Sequence, residues 1–213
     1  MPNHRPFRAL LSGALAAAGL VVLVGCTSAG AAPNPSAEAT PAPSPSAEAP
    51  APDPTPTALD PADVTTWVIT AQGIGPIVRG ADAAETVAGF TAFEANEWCP
   101  GVIGLSQEGT GQIVVTVLDD GTVGAVWANG RDVGDGTVPP SPSTEEGIVF
   151  GSTMEELAAA YPGLVPSNQA GAESYGYAAG DETAGYLNFL VEGDKVISIG
   201  VQDRAGVPKE FCG

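Results

Sequence analysis

The chain has 213 residues and a formal net charge of −18, from 7 basic residues against 25 acidic ones. Arg5 and Arg8 belong to the N-terminal segment, so from Cys26 onward 5 basic residues face 25 acidic ones, a balance that repels nucleic acid and anionic lipid headgroups. The single histidine, His4, falls in a segment expected to be removed; a chain without imidazole excludes Ser-His-Asp and Cys-His catalysis, histidine zinc sites and histidine pH switches.

In chain order, "MPNHRPFR" is a short basic start, and "ALLSGALAAAGLVVLVG", residues 9–25, is an apolar run at the lower limit of a bilayer span. Basic start, apolar middle and small residues at the end are the layout of a signal peptide, predicted here over 1–25. Leu23-Val24-Gly25-Cys26 resembles the lipobox of bacterial lipoproteins, with a small residue before an obligatory cysteine. That resemblance implies cleavage before Cys26 and a diacylglycerol thioether on its thiol, with fatty acyl chains such as palmitate. It also implies a cell-membrane location, lipid-anchored and exposed on the extracytoplasmic side. Two acyl chains hold a soluble domain at a membrane where one is marginal.

Residues 27–61 follow the anchor with a Pro/Ala/Ser-rich stretch that has no aromatic residue and carries "PSAEA" at both 35–39 and 45–49. Such a composition buries too little apolar surface to fold, and its prolines favour an extended polyproline II spacer. The expected domain plan is therefore signal peptide 1–25, lipidated cysteine and disordered linker 26–61, and a folded part over 62–213. The folded part has the size of one ordinary domain or two small repeats sharing a core.

The folded part shows self-similarity. "IVRGADAAETVAGF", residues 77–90, parallels "IVFGSTMEELAAAY", residues 148–161. Both read as a short strand, a glycine turn and a capped helix, with Asp82 and Thr153 as N-caps and Glu85 and Glu156 as capping-box partners. Pro162-Gly163 should end the second helix by Tyr161. "IVVTVLDDGTVGAVWANGR", 113–131, then parallels "YLNFLVEGDKVISIGVQDR", 186–204. Each reads as a hairpin, turning at Asp120-Gly121 and at Gly193-Asp194, with Glu192 opposite Lys195. The predicted fold class is α+β, a tandem duplication with each repeat a short helix packed on an antiparallel sheet, the repeats spanning about 67–140 and 141–213.

Strict alternation sorts the hairpins into two faces. Ile113, Val115, Val117, Val126, Leu190, Ile197, Ile199 and Val201 are expected beneath the helices. The other face, with Val123, Val191 and Val196 among its members, is semi-apolar. This face either packs on the other repeat or a loop, or forms a candidate partner surface with Thr116, Trp127, Leu187, Phe189 and Ser198. The helix start Gly151-Ser152-Thr153-Met154-Glu155-Glu156-Leu157, followed by antiparallel strands and repeated in tandem, resembles the beta-lactamase inhibitor protein superfamily. The resemblance implies helices on one side of a sheet and partner proteins bound on the concave other side; the first copy departs from the motif at Asp82 and at Thr86-Val87.

Cys99 and Cys212 are the only cysteines after Cys26, and in an exported chain two cysteines allow one bridge, which would tie the first repeat to the C-terminus. "NGRDVGDGTV", 129–138, lacks the spacing of a calcium loop, and Glu145-Glu146, Glu155-Glu156 and Asp181-Glu182 read as helix-turn and loop acids. No metal site and no cofactor are expected. The prediction is a non-enzymatic, lipid-anchored surface protein whose domain binds a protein or cell-wall partner, with no nucleic-acid role. The alternatives are a carboxylate-dependent hydrolase acting on cell-wall glycan, which needs two converging acids, and a purely structural envelope lipoprotein.

Overall fold

The structure is a computed structural model and describes residues 58–131 and 137–213. The signal segment, Cys26, the linker through residue 57, and Asp132 and Asp135 lie outside the described residues.

The described chain is sheet-dominated α+β. After a turn of 3-10 helix capped by Asp63 come β1 (Val68–Thr70), β2 (Gly73–Ile74), β3 (Ile77–Val78) and α1 (Ala83–Ala88). Four strands follow: β4 (Glu94–Cys99), β5 (Val102–Ser106), β6 (Gln112–Val117) and β7 (Val123–Asn129). Then come β8 (Ser143–Thr144), α2 (Met154–Ala160), β9 (Val165–Gln169), β10 (Ser174–Asp181), β11 (Gly185–Glu192) and β12 (Lys195–Gln202). One sheet has the order β3-β2-β1-β8, closed by a parallel pairing of β1 with β8. The other has eight strands in the order β4-β5-β6-β7-β12-β11-β10-β9, so two meanders meet where β7 pairs antiparallel with β12.

The helices begin as their side chains dictate. Asp82 accepts from the Glu85 amide at 2.8 Å, and Thr153 accepts from the Glu156 amide at 3.1 Å. Only α2 completes the reciprocal box, with Glu156 accepting from the Thr153 amide at 2.7 Å. In α1 the cap is itself a carboxylate, so a returning Glu85 would bring like charge onto Asp82. Helix α2 stops at Tyr161 before Pro162. The expected strand at 148–150 does not form. Gly147 (φ 83°) turns the chain, and the Val149 and Phe150 amides donate to the Ser152 and Ser141 hydroxyls at 3.1 Å each instead of to a strand.

Each helix entry is stitched to a hairpin end in the same way. Gly80 N–H donates to Val123 O and Gly151 N–H to Val196 O, both at 2.8 Å. Val123 N–H and Val196 N–H answer to Ala81 O and Ser152 O, both at 2.9 Å.

One face of the eight-stranded sheet shares a buried cluster with both helices and the small sheet, joining Ile113, Val126 and Ile199 to Leu157, Ala83 and Trp67. The second face carries a smaller cluster of Val102, Val114, Ala125, Trp127, Leu190 and Val207. Strict alternation misplaces several residues because each hairpin carries a bulge. Thr116 pairs with Ala125 while Val117 pairs with Val123, leaving Gly124 extra; Leu190 pairs with Ser198 while Val191 pairs with Val196, leaving Ile197 extra. One inserted residue reverses the alternation beyond it. Val123, Leu187, Phe189, Val191 and Val196 therefore belong with the helices, and Leu190 and Ile197 with the second face.

Candidate functional site

The second sheet face is partly roofed by the chain's own last residues, and side-chain amides fold them back over it. Gln202 donates from Nε2 to Arg204 O at 3.0 Å and to Gly206 O at 2.7 Å. Asn188, fully buried on β11, accepts from the Gly206 amide at 2.7 Å. Asn168 on β9 then takes both polar groups of Val207, accepting from its amide at 2.8 Å and donating to its carbonyl at 2.9 Å, as a neighbouring strand would. The segment crosses the sheet, sets Phe211 between two indoles, and ends at a disulfide from Cys212 to Cys99 with Cα atoms 6.1 Å apart.

Phe211 meets Trp98 edge-on at 6.3 Å and Trp127 at 6.0 Å between ring centroids. Both indoles lie flat on glycine. A Cβ at Gly200, across from Trp127, would fall 2.2 Å from the indole; one at Gly104 would fall 2.5 Å from Trp98. The three rings form a ridge, buried at Trp127 and exposed at Trp98.

A groove lies on each side of this ridge. The larger, of about 590 Å³, runs past Thr116, Leu118 and Trp127, with Arg79 and Arg204 on its walls. The smaller, of about 390 Å³, runs past Trp127, Ser198 and Trp98, with Arg131 and Lys209 beside it. Beside the smaller groove the buried Ser198 hydroxyl donates to half-buried Asn129 Oδ1 at 2.6 Å, a polar pair linking β12 to β7.

Of the five side chains expected on this face, Thr116, Trp127 and Ser198 line the grooves. Leu187 and Phe189 do not. The bulge at Ile197 turns them to the helix side, where Phe189 is fully buried against Tyr161 at 5.2 Å. Tyr161 donates to the Glu146 carboxylate, and burial raises its phenol well above the usual range. The sequence reading missed Trp98, Phe211 and the arginines. The signal for the rings was present in "WC" at 98–99 and "FC" at 211–212, an aromatic residue before each bridged cysteine. The acidic pairs stay apart from the grooves. Glu145-Glu146, Glu155-Glu156 and Asp181-Glu182 are all exposed, and Asp181 caps its own turn by accepting from the Thr183 and Ala184 amides at 2.8 Å.

No family model, curated protein or solved structure matches this chain.

Proposed function

We propose that this chain is a lipid-anchored cell-surface protein whose folded part is a non-catalytic binding domain, and that it grips an envelope protein with the second sheet face. The observation that carries this reading is the pair of accessible rings, Trp98 and Phe211, resting beside buried Trp127 and bordered by two open grooves. Tryptophan and other aromatic side chains beside arginine are the groups that supply most binding energy at protein interfaces. The paired acids Glu145-Glu146, Glu155-Glu156 and Asp181-Glu182 are exposed, a setting that favours this reading over the cell-wall glycan hydrolase, which needs two carboxylates converging in a cleft.

A tandem duplication underlies this domain. The matched stitching at Gly80–Val123 and Gly151–Val196 supports it, as does a four-stranded meander after each helix, with each hairpin bulged at corresponding positions, Gly124 and Ile197. Helices on one side and a binding face on the other are also what the resemblance to the beta-lactamase inhibitor protein superfamily implies. The anchor is Cys26, on the strength of Leu23-Val24-Gly25-Cys26 behind an apolar run.

The test places a photo-crosslinking amino acid in the full-length protein in its own envelope, at exposed Leu118 or Arg131 on the grooves and at exposed Ala158 on α2. Discrete protein adducts from the groove positions and none from Ala158 are expected. Adducts from α2 alone, or none from the grooves, would overturn the reading.

A further inference from the structure

Charge on this domain is distributed against the odds of its composition. Arg79, Arg131, Lys195, Arg204 and Lys209 are the only basic residues from Cys26 onward, and four of them line the two grooves. The fifth, Lys195, sits on the β11–β12 turn, where its charge bears on Glu156 of α2. The acids lining the larger groove are Asp203 and Glu210, and Asp203 lies 4.0 Å from Arg204. At the smaller groove Arg131 reaches Glu192 at 3.3 Å.

Arg79 differs from these. Its side chain is half-buried, and its guanidinium is held from behind by two backbone carbonyls: Nε donates to Gly124 O at 3.1 Å and Nη1 to Ala71 O at 3.4 Å. It also lies against Gly185, where a Cβ would fall 2.6 Å from Nη1. Those two bonds leave the other N–H groups of the guanidinium for an acceptor in the groove. Among the described residues Arg79 makes no ion pair, although the chain is strongly acidic. A fixed, half-desolvated guanidinium is a geometric match for a carboxylate, which it takes through two parallel N–H···O bonds. The groove beyond it has a mixed lining, and its exposed apolar side chains are Val78 and Leu118, with Phe211 partly exposed beside them.

We infer that the larger groove receives an acidic segment of a partner protein, seating an Asp or Glu carboxylate on Arg79 and a neighbouring apolar side chain against Leu118 and Phe211. This rests on the binding-domain reading above and names the chemistry of what is bound. Arg204, which also lines the groove, steers the same segment by charge. Contacts so placed give specificity and on-rate as much as affinity.

The experiment selects random peptides displayed on phage against the immobilised full-length protein and measures the recovered peptides by fluorescence anisotropy. The expected winners carry Asp or Glu next to an aromatic or aliphatic residue, and bind less tightly as NaCl rises. Arg79→Gln should weaken them at least about tenfold, the worth of one charge-assisted hydrogen-bonded pair. Lys195→Gln, an equal loss of charge away from the grooves, should change binding by less than about twofold. Because Arg79 also braces two backbone carbonyls, Arg204→Gln gives a second reading at an exposed site and should weaken the same peptides severalfold. Winners without acidic residues, equal losses in the Arg79 and Lys195 variants, or selective binding of a polyuronate chain in place of peptides would overturn the inference. Envelope crosslinks at Leu118 together with acid-free winners would leave the binding-domain reading standing and remove this one.

Discussion

Gly200 shows how a single missing Cβ shapes the candidate site. It pairs across the β7–β12 seam with Trp127, whose indole occupies the space a methyl group would need, 2.2 Å away. Elsewhere in a strand, glycine to alanine removes unfolded-state entropy and tends to stabilise. Here the sign reverses: Gly200→Ala should destabilise by about 1–3 kcal/mol, the usual cost of overpacking, read from the denaturant midpoint. A rise in the midpoint would mean that the indole does not lie on the backbone. At the other pole of the domain, Thr153 caps α2 with its hydroxyl and its amide together, and Thr153→Ala should cost about 1 kcal/mol. The Thr153 amide and then its hydroxyl hold the Glu156 carboxyl below its ordinary value, with a further small pull from Lys195. Hydroxyl and amide donors likewise lower Asp63 and Asp120, and the Ala184 and Thr183 amides lower Asp181. A group whose folded pKa is depressed lends stability above its unfolded value and loses it as pH falls through the folded one. The melting temperature should therefore fall as pH drops from about 5 towards 3, and Glu156→Gln should lessen that fall. An identical slope in the variant would show that the capping box carries none of it.

At the scale of elements, the last residues behave as a strap fastened at both ends, by the Asn188–Gln202 amides at one and by Cys99–Cys212 at the other. The bridge spans 113 residues, and in the chain-entropy account closing such a loop contributes roughly 4–5 kcal/mol. Replacing both cysteines with serine should lower stability on that order and free Phe211 from the indoles. Trp98 and Trp127 emission should then shift to the red while the far-ultraviolet signal stays that of a sheet; unchanged emission would show that packing alone holds the strap. Much of this was legible in the sequence. The two caps, the helix stop before Pro162, the hairpins and the cysteine pair all follow from rules acting over a few residues. Strands β4 and β9 were not legible, because an exposed edge such as "EANE" or "VPSNQ" carries no apolar alternation to read. Nor were the bulges. One extra residue beside a turn leaves no mark in composition, yet it moved Leu187 and Phe189 to the opposite layer. The grooves were beyond local reading altogether, since one wall comes from the last residues of the chain and the other from Arg79.

For the whole molecule, the strongest expectation concerns attachment. If Cys26 carries the lipid, Cys26→Ser should move the protein from the membrane fraction to the medium with its domain intact; full retention of the variant would refute the anchor. The same strand order that builds the site also sets a timetable. β7 has one edge on β6 and the other on β12, and β12 is the last strand among the described residues. A chain emerging N-terminus first completes its first meander and must then hold Val123–Asn129 open until Lys195–Gln202 arrives. An open apolar edge is a template for pairing with any passing strand, including the same edge on a neighbouring chain. A chain halted before residue 195 should therefore aggregate more readily than one that reaches Gln202, whose last strand covers the open edge of β7.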